Sequence, residues 1–192
     1  MLPLLLASSS PYRRELLGRL RLSFTCASPD IDESRLADEP AETLVKRLAE
    51  QKARALAASH PGHLIIGSDQ VAVLGEQILG KPHTFDKACT QLLEASGTSV
   101  TFLTGLALLN SATGDCQVDC VPFTVEMREL DLATIQRYLQ AEQPYDCAGS
   151  FKAEGLGVSL FKSTHGPDAT SLVGLPLIRL VDMLLQEGVQ VP

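Results

Sequence analysis

The apolar residues fall into short blocks separated by polar turns, and the spacing inside the blocks alternates between two periods. Leu4–Ala7 is an uninterrupted apolar run of strand length. Three serines and Pro11 follow, then Leu16, Leu17 and Leu20 at helical spacing, so that Ser10 reads as an N-cap and Pro11 as a first helical residue. Residues 23–28 suit a short strand, and the acidic, turn-rich stretch Pro29–Pro40 a loop. Leu44, Val45, Leu48, Ala49 and Leu56 predict a helix over Ala41–Ala58. Leu64–Ile66 reads as a buried strand, and Val71–Leu74 as a second apolar run leading to a turn at Gly75 and on to Ile78-Leu79. A helix is predicted over Phe85–Ser96, with Ala88, Leu92 and Leu93 on one face. Ser99–Leu109 and Cys116–Leu130, joined by a turn over residues 110–115, form a long hairpin. Asp131 caps a helix running through Leu139, Gln143–Thr170 is loop-rich, and Leu175–Leu185 closes the chain as a helix with Pro176 in its first turn. Alternating strands and helices with one long hairpin predict a mixed-sheet α/β fold.

The 192 residues suffice for a single domain spanning 1–192, or for one domain with two lobes. A net charge of −7 argues against general binding to nucleic acid or anionic membrane, so any nucleotide site is a local cationic pocket in an acidic protein. No stretch reaches the roughly 18 apolar residues that span a bilayer. The apolar run Leu2–Ala7 lacks a preceding cationic region and does not read as a signal peptide, which makes the cytoplasm the expected compartment. Five cysteines at irregular spacing do not suggest a disulfide framework, and Cys116 and Cys120 read as small residues on one face of a strand. The four histidines show no zinc-binding pattern, so an expected metal is a hard divalent ion held by oxygen.

Chemistry concentrates in two places. In Leu64–Pro82 a buried strand runs into Gly67-Ser68-Asp69, and Lys81 stands between Gly80 and Pro82. A carboxylate at the end of a buried strand needs a partner, a hydrogen bond or a metal, and a fixed acid and base a short hairpin apart suit a metal–phosphate ligand. The alternatives are a turn-capping Asp69 and a solvated Lys81. At the N-terminus, a strand, a hydroxyl-rich turn, a helix start and Arg13-Arg14 make an anion-binding arrangement, or else an ordinary capped helix with solvated arginines. By its pattern Lys52 is a surface lysine on a mixed polar face, and Glu33 sits in an acidic loop able to hold Mg²⁺ or remain solvated.

Seven ordered segments resemble landmarks of the Maf family of nucleoside triphosphate pyrophosphatases. They are LASSSPYRRELL (Leu6–Leu17), PDIDES (Pro29–Ser34), LAEQKA (Leu48–Ala53), IIGSDQVAV (Ile65–Val73), ILGKP (Ile78–Pro82), YDCAGSFKAEG (Tyr145–Gly155) and LVGLPL (Leu172–Leu177), and they span nearly the whole chain. Within the family, Ser68-Asp69-Gln70 and Ala153-Glu154-Gly155 resemble the branch that hydrolyses 7-methyl-GTP. One departure is Cys147, which stands where the commoner family text has lysine, with Lys152 a partial replacement.

The resemblance implies an elongated two-lobed fold like that of the inosine triphosphatases, with a central cleft. It implies a small-molecule nucleotide substrate cut to a monophosphate and pyrophosphate, a divalent cation (Mg, Mn or Co), and a homodimer. Asp69 is the expected catalytic base and, with Glu33, a metal ligand; Ser8, Arg13, Lys52 and Lys81 are expected to contact phosphate. For specificity, Tyr12 is expected to stack on a cationic base, Gln70 to read a base edge, and Glu154 to accept from the guanine N1–H and amine. Other readings are a dTTP/UTP pyrophosphatase of the same family, a phosphatase releasing orthophosphate, and a non-enzymatic cell-division regulator acting through a protein partner.

Overall fold

A computed structural model describes residues 2–192. Its elements are β1 (Leu4–Ala7), α1 (Pro11–Gly18), β2 (Phe24–Ala27), α2 (Ala41–Ala55), β3 (Leu64–Leu74), β4 (Gln77–Leu79), α3 (Phe85–Ala95), β5 (Ser99–Asn110), β6 (Cys116–Met127), α4 (Leu132–Glu142), β7 (Phe161–His165), α5 (Ala169–Val173) and α6 (Leu177–Gln186). Among the described residues seven strands form one sheet in the order β2-β1-β3-β5-β6-β7, with β4 paired to β3. The pairs β1–β2 and β1–β3 are parallel, whereas β4 lies antiparallel to β3 and β7 to β6. The fold is thus mixed α/β. No helix among the described residues is long and apolar enough to cross a membrane.

The chain divides into two compact units. The first gathers the chain up to Asp69 with Thr104–Val121 and Asp168–Pro192; the second holds Gln70–Leu103 and Pro122–Pro167. In the first unit the strand residues alternate between two buried faces. Leu4, Leu6, Leu64, Ile66, Leu106 and Leu108 pack with Leu16 and Leu17 of α1 and with Leu180, Met183 and Leu184 of α6. Leu5, Ala7, Ile65, Ala107 and Leu109 pack on the opposite face with Ala49 and Ala53 of α2. Helices on both sides explain why these strands read as continuous apolar runs rather than as alternating ones.

Two glycines bring α2 onto the sheet. A Cβ on Gly67 of β3 would lie 2.0 Å from the Ala49 carbonyl oxygen, and one on Gly105 of β5 would lie 2.1 Å from that of Val45. The helix backbone therefore rests directly on two neighbouring strands, at carbonyls one helical turn apart. On the other side of the sheet the buried Asp168 ties two helices together. Its Oδ1 accepts from Thr170 N (2.8 Å) at the start of α5, and its Oδ2 from Ile178 N (2.8 Å) in α6.

In the second unit Phe151 meets Phe102 and Phe161 edge to face, with centroids 5.0 and 4.9 Å apart. Thr84 and Asp131 cap α3 and α4 by accepting from Lys87 N and Thr134 N. Asp131 is thus the cap the sequence predicts.

Several expectations need correction. Leu64–Ile66 and Val71–Leu74 belong to one 11-residue strand, so Asp69 lies within β3 rather than beyond a strand end. Gly67, which follows the first apolar run, is where α2 touches the strand. Leu20 lies beyond α1, and Leu93 is exposed because α3 buries Ala88, Leu92 and Ala95 instead. The predicted loop over Gln143–Thr170 contains β7, two short 3-10 turns at Ala148–Ser150 and Leu156–Leu160, and the start of α5. The strand β7 buries only its first residue, so it carries no apolar period.

The glycine contacts are testable. Gly67→Ala should destabilise the protein by about 3 kcal/mol or more, because the obstacle is backbone and cannot swing away. Gly18→Ala, with nothing within 4 Å of the added carbon, should be neutral or slightly stabilising. Denaturant midpoints for the two variants check this, and a Gly67→Ala protein as stable as the wild type would contradict the packing.

Candidate active site

The approach of α2 to β3 creates the most strongly charged buried cluster of the first unit. Along β3, Ile65, Gly67 and Asp69 point to the face covered by α2. Ala49 abuts Gly67, and Lys52 lies one turn further along the helix, on the same stripe as Val45, Leu48 and Ala49. Lys52 Nζ consequently donates to Asp69 Oδ1 at 2.7 Å, and the two residues are only 6% and 7% exposed. Glu33, from the acidic loop, places Oε1 3.2 Å from the same ammonium, with its side chain 59% exposed. Lys52 thus lies between two carboxylates. Its helical pattern suggested a surface lysine; burial follows from its position on the apolar stripe.

A second polar cluster lies on the opposite face of the sheet. Ser68 Oγ is 2.9 Å from the carbonyl oxygens of both Gly105 and Gly174, and Arg13 Nε donates to the Gly174 carbonyl at 2.8 Å. Gly174 has a φ of +124°, open to glycine and strained for other residues, and this orients its carbonyl toward both donors. Burial lowers the affinity of the Arg13 guanidinium for its proton, an effect opposed by the nearby charges of Asp69 and Glu33.

The serine turn has the predicted form. Ser10 caps α1 by accepting from Arg13 N (3.4 Å), and Ser8 Oγ accepts from Ser10 N (3.1 Å). A cavity of about 210 Å³ opens here, lined by Ser8, Ser9, Ser10, Arg14, Cys26, Ala27 and Ser28. Arg14 rather than Arg13 reaches this cavity, while Arg13 turns toward Gly174.

Sequence reasoning missed two residues that pair where the Glu33 loop meets α2. Glu39 is 5% exposed, and its Oε1 and Oε2 accept from Arg47 Nε (2.6 Å) and Nη2 (2.8 Å). The Arg47 hydrogen bonds, followed by a smaller backbone contribution from Leu36, hold the Glu39 carboxyl down to about 2 against the opposing effect of desolvation. The acidic glutamate of a loop and the arginine of a helix carried no motif that would pair them.

Of the other expected site residues, Tyr12 lies half-buried on α1 in the first unit. Gln70, Lys81 and Glu154 belong to the second, with Gln70 half-buried and the other two exposed. The base bonded to Asp69 is therefore Lys52 and not Lys81. The segment carrying Glu154 is pinned on both sides: Lys152 N donates to Tyr138 Oη at 2.9 Å, and Leu156 N to Glu142 Oε2 at 2.8 Å. Partial desolvation raises the Glu154 carboxyl above the usual range, Lys152 opposes this, and Glu142 and Asp146 add to it. Burial, aided by Asp146, pushes the Cys147 thiol up to about 12, so an uncharged group stands at that position. Lys152 Nζ lies 3.6 Å from Glu142 Oε1. All five cysteines are free thiols, and burial raises Cys116 and Cys120 to about 11, which fits packing residues rather than reactive ones.

Among the described residues no group of three or more histidine, cysteine, aspartate or glutamate side chains is placed to hold one ion. Asp69 and Glu33, both paired to the Lys52 ammonium, are the carboxylates that could hold a Mg²⁺-type ion, which takes one or two carboxylates from a protein and its remaining ligands from phosphate and water.

Comparison with known proteins identifies relatives over nearly the whole chain. Residues 3–187 match the family described as Maf-like protein. The chain is 81% identical over 192 residues to the 7-methyl-GTP pyrophosphatase of Pseudomonas fluorescens strain Pf0-1, with both chains covered completely. It is 78% identical over 192 residues, again with full coverage of both, to the protein of that name from Pseudomonas putida. The Alcanivorax borkumensis protein of that name is 61% identical over 189 residues, which is 98% of this chain and 96% of its own. The chain belongs to the Maf family.

Proposed function

We propose that the protein hydrolyses 7-methyl-GTP to 7-methyl-GMP and pyrophosphate. The observation that carries this reading is the buried Asp69, oriented by a Lys52 ammonium that Glu33 also approaches. The names of the relatives at 61–81% identity supply the substrate. In the reaction a water oxygen bonds to the α-phosphorus, and the bond from that phosphorus to the bridging α–β oxygen breaks. Asp69 takes the water proton, and the electron pair leaves with pyrophosphate. Lys52 orients the Asp69 carboxylate. Arg13, Ser8 and Lys81 contact the phosphates, the two cations offsetting charge that grows in the transition state. A divalent ion, held by Asp69 and Glu33, supplies further positive charge at the phosphates when bound. Tyr12, Gln70 and Glu154 select the base. We place the enzyme in the cytoplasm, in keeping with its free thiols, as a homodimer that removes modified nucleotides from the pool.

Products and metal dependence test the reaction class. Pyrophosphate should be the first phosphate product; activity should vanish in EDTA and return with Mg²⁺, Mn²⁺ or Co²⁺. Direct release of orthophosphate, or full activity in chelator, would exclude this reading.

Asp69→Asn should lower turnover on the order of 10²-fold or more by removing the base. Its amide oxygen can still accept from Lys52, and Glu33 still balances that charge. The stability loss should therefore stay below the roughly 3–5 kcal/mol typical of an orphaned buried ion. Kinetics and denaturant unfolding on one preparation check both parts, and full activity would return Asp69 to a structural role.

Selectivity is testable through Glu154. The wild type should prefer 7-methyl-GTP to dTTP and UTP, and Glu154→Gln should weaken the first more than the others. Because the Glu154 carboxyl is raised, KM for 7-methyl-GTP should climb as pH falls through a value above 4.5, and this limb should be missing in the variant. Preference for dTTP or UTP, or an unchanged limb, would remove Glu154 from the base site.

A further inference from the structure

The 12-residue loop Pro29–Pro40 contains no helix or strand, yet it delivers Glu33 to a buried ammonium. The Glu33–Lys52 contact is too weak to order the loop. An ion pair with one largely exposed partner adds little, whereas ordering each residue of a loop costs backbone entropy. Something else must hold the segment in place.

The described structure contains one set of contacts suited to that task. Glu39 Oε1 accepts from Arg47 Nε, and Oε2 accepts from Arg47 Nη2 and from the Leu36 backbone N–H at 3.1 Å. Arg47 Nη2 also donates to the carbonyl of Ser34, the residue next to Glu33, at 3.0 Å. Arg35 Nε donates to the Glu39 carbonyl at 2.8 Å, and Arg47 Nη1 to Gln51 Oε1 at 3.0 Å. One guanidinium fork thus grips the loop at Ser34, the residue after Glu33, and again at Glu39, from a helix that also carries Lys52 five residues on. Lysine lacks this geometry, because its donors sit on one nitrogen and cannot place two separate nitrogens against the two carboxylate oxygens.

We propose that the Glu39–Arg47 pair is a positioning device that fixes the loop on α2 and so keeps Glu33 on Lys52. This rests on the reading of Asp69, Lys52 and Glu33 as the reaction centre. Glu39 and Arg47 do not touch substrate; they act through Glu33.

The test combines amide exchange with kinetics on Glu39→Gln and Arg47→Lys, each made in the wild type and in Glu33→Gln. Amides of residues 31–38 should exchange about tenfold faster or more, while those of Leu48 and Ala49 keep their protection. The kcat for 7-methyl-GTP should fall by up to about 100-fold, the scale of a misplaced group, with KM little changed. In the Glu33→Gln background the same substitutions should add less than about twofold, since coupled residues are not additive. Unchanged loop exchange, or an equal kcat loss in both backgrounds, overturns the proposal. If Glu39→Gln loses the fold, Arg47→Lys, which keeps the charge and loses only the fork, decides. Should the wild type release no pyrophosphate, the proposed function falls, and the exchange data still determine whether the pair holds the loop.

Discussion

Direct contact between a helix backbone and two strands governs the first unit. Gly67 and Gly105 remove the side chains that would separate α2 from β3 and β5, and the carbonyls of Ala49 and Val45 fill the space. The residues two further along β3 and one turn further along α2 then have to meet, and they are Asp69 and Lys52. A helix resting on ordinary side chains at these two positions would stand further from the sheet. Lysine and aspartate at these positions would then not form a short ion pair.

Burial gives this pair its character. Isolated, either charge would be strongly disfavoured in the apolar unit; paired, each orients the other. Such a pair is poor evidence for stability, since apolar residues of similar size often do as well. Its retention in the middle of a strand, beside Glu33, is better explained by chemistry. The opposite face of β3 shows the same economy, with Ser68 and Arg13 converging on the single carbonyl of Gly174.

Much of this was legible in the sequence. The strand–serine–proline–helix start was readable because capping chemistry is local, and the long hairpin because its period is strong. The two halves of β3 read as separate runs because Gly67-Ser68-Asp69-Gln70 interrupts the apolar pattern, and nothing local shows that α2 rests on Gly67. Lys52 reads as a surface lysine by charge, although its spacing from Val45 and Ala49 places it on the buried stripe. The family resemblance drew attention to it as a phosphate contact, and the structure pairs it with Asp69 and Glu33. The Glu39–Arg47 clamp stayed hidden because its partners are eight residues apart across a loop–helix junction, and no local period links them. The strand β7 was missed because it is short and mostly exposed.

Where the water oxygen ends up tests the central chemistry most directly. Hydrolysis of 7-methyl-GTP in ¹⁸O-labelled water, read by mass spectrometry, should place one label in 7-methyl-GMP and none in pyrophosphate, as attack at the α-phosphorus by a water that Asp69 deprotonates requires. Label in pyrophosphate, or in orthophosphate released directly, would contradict it.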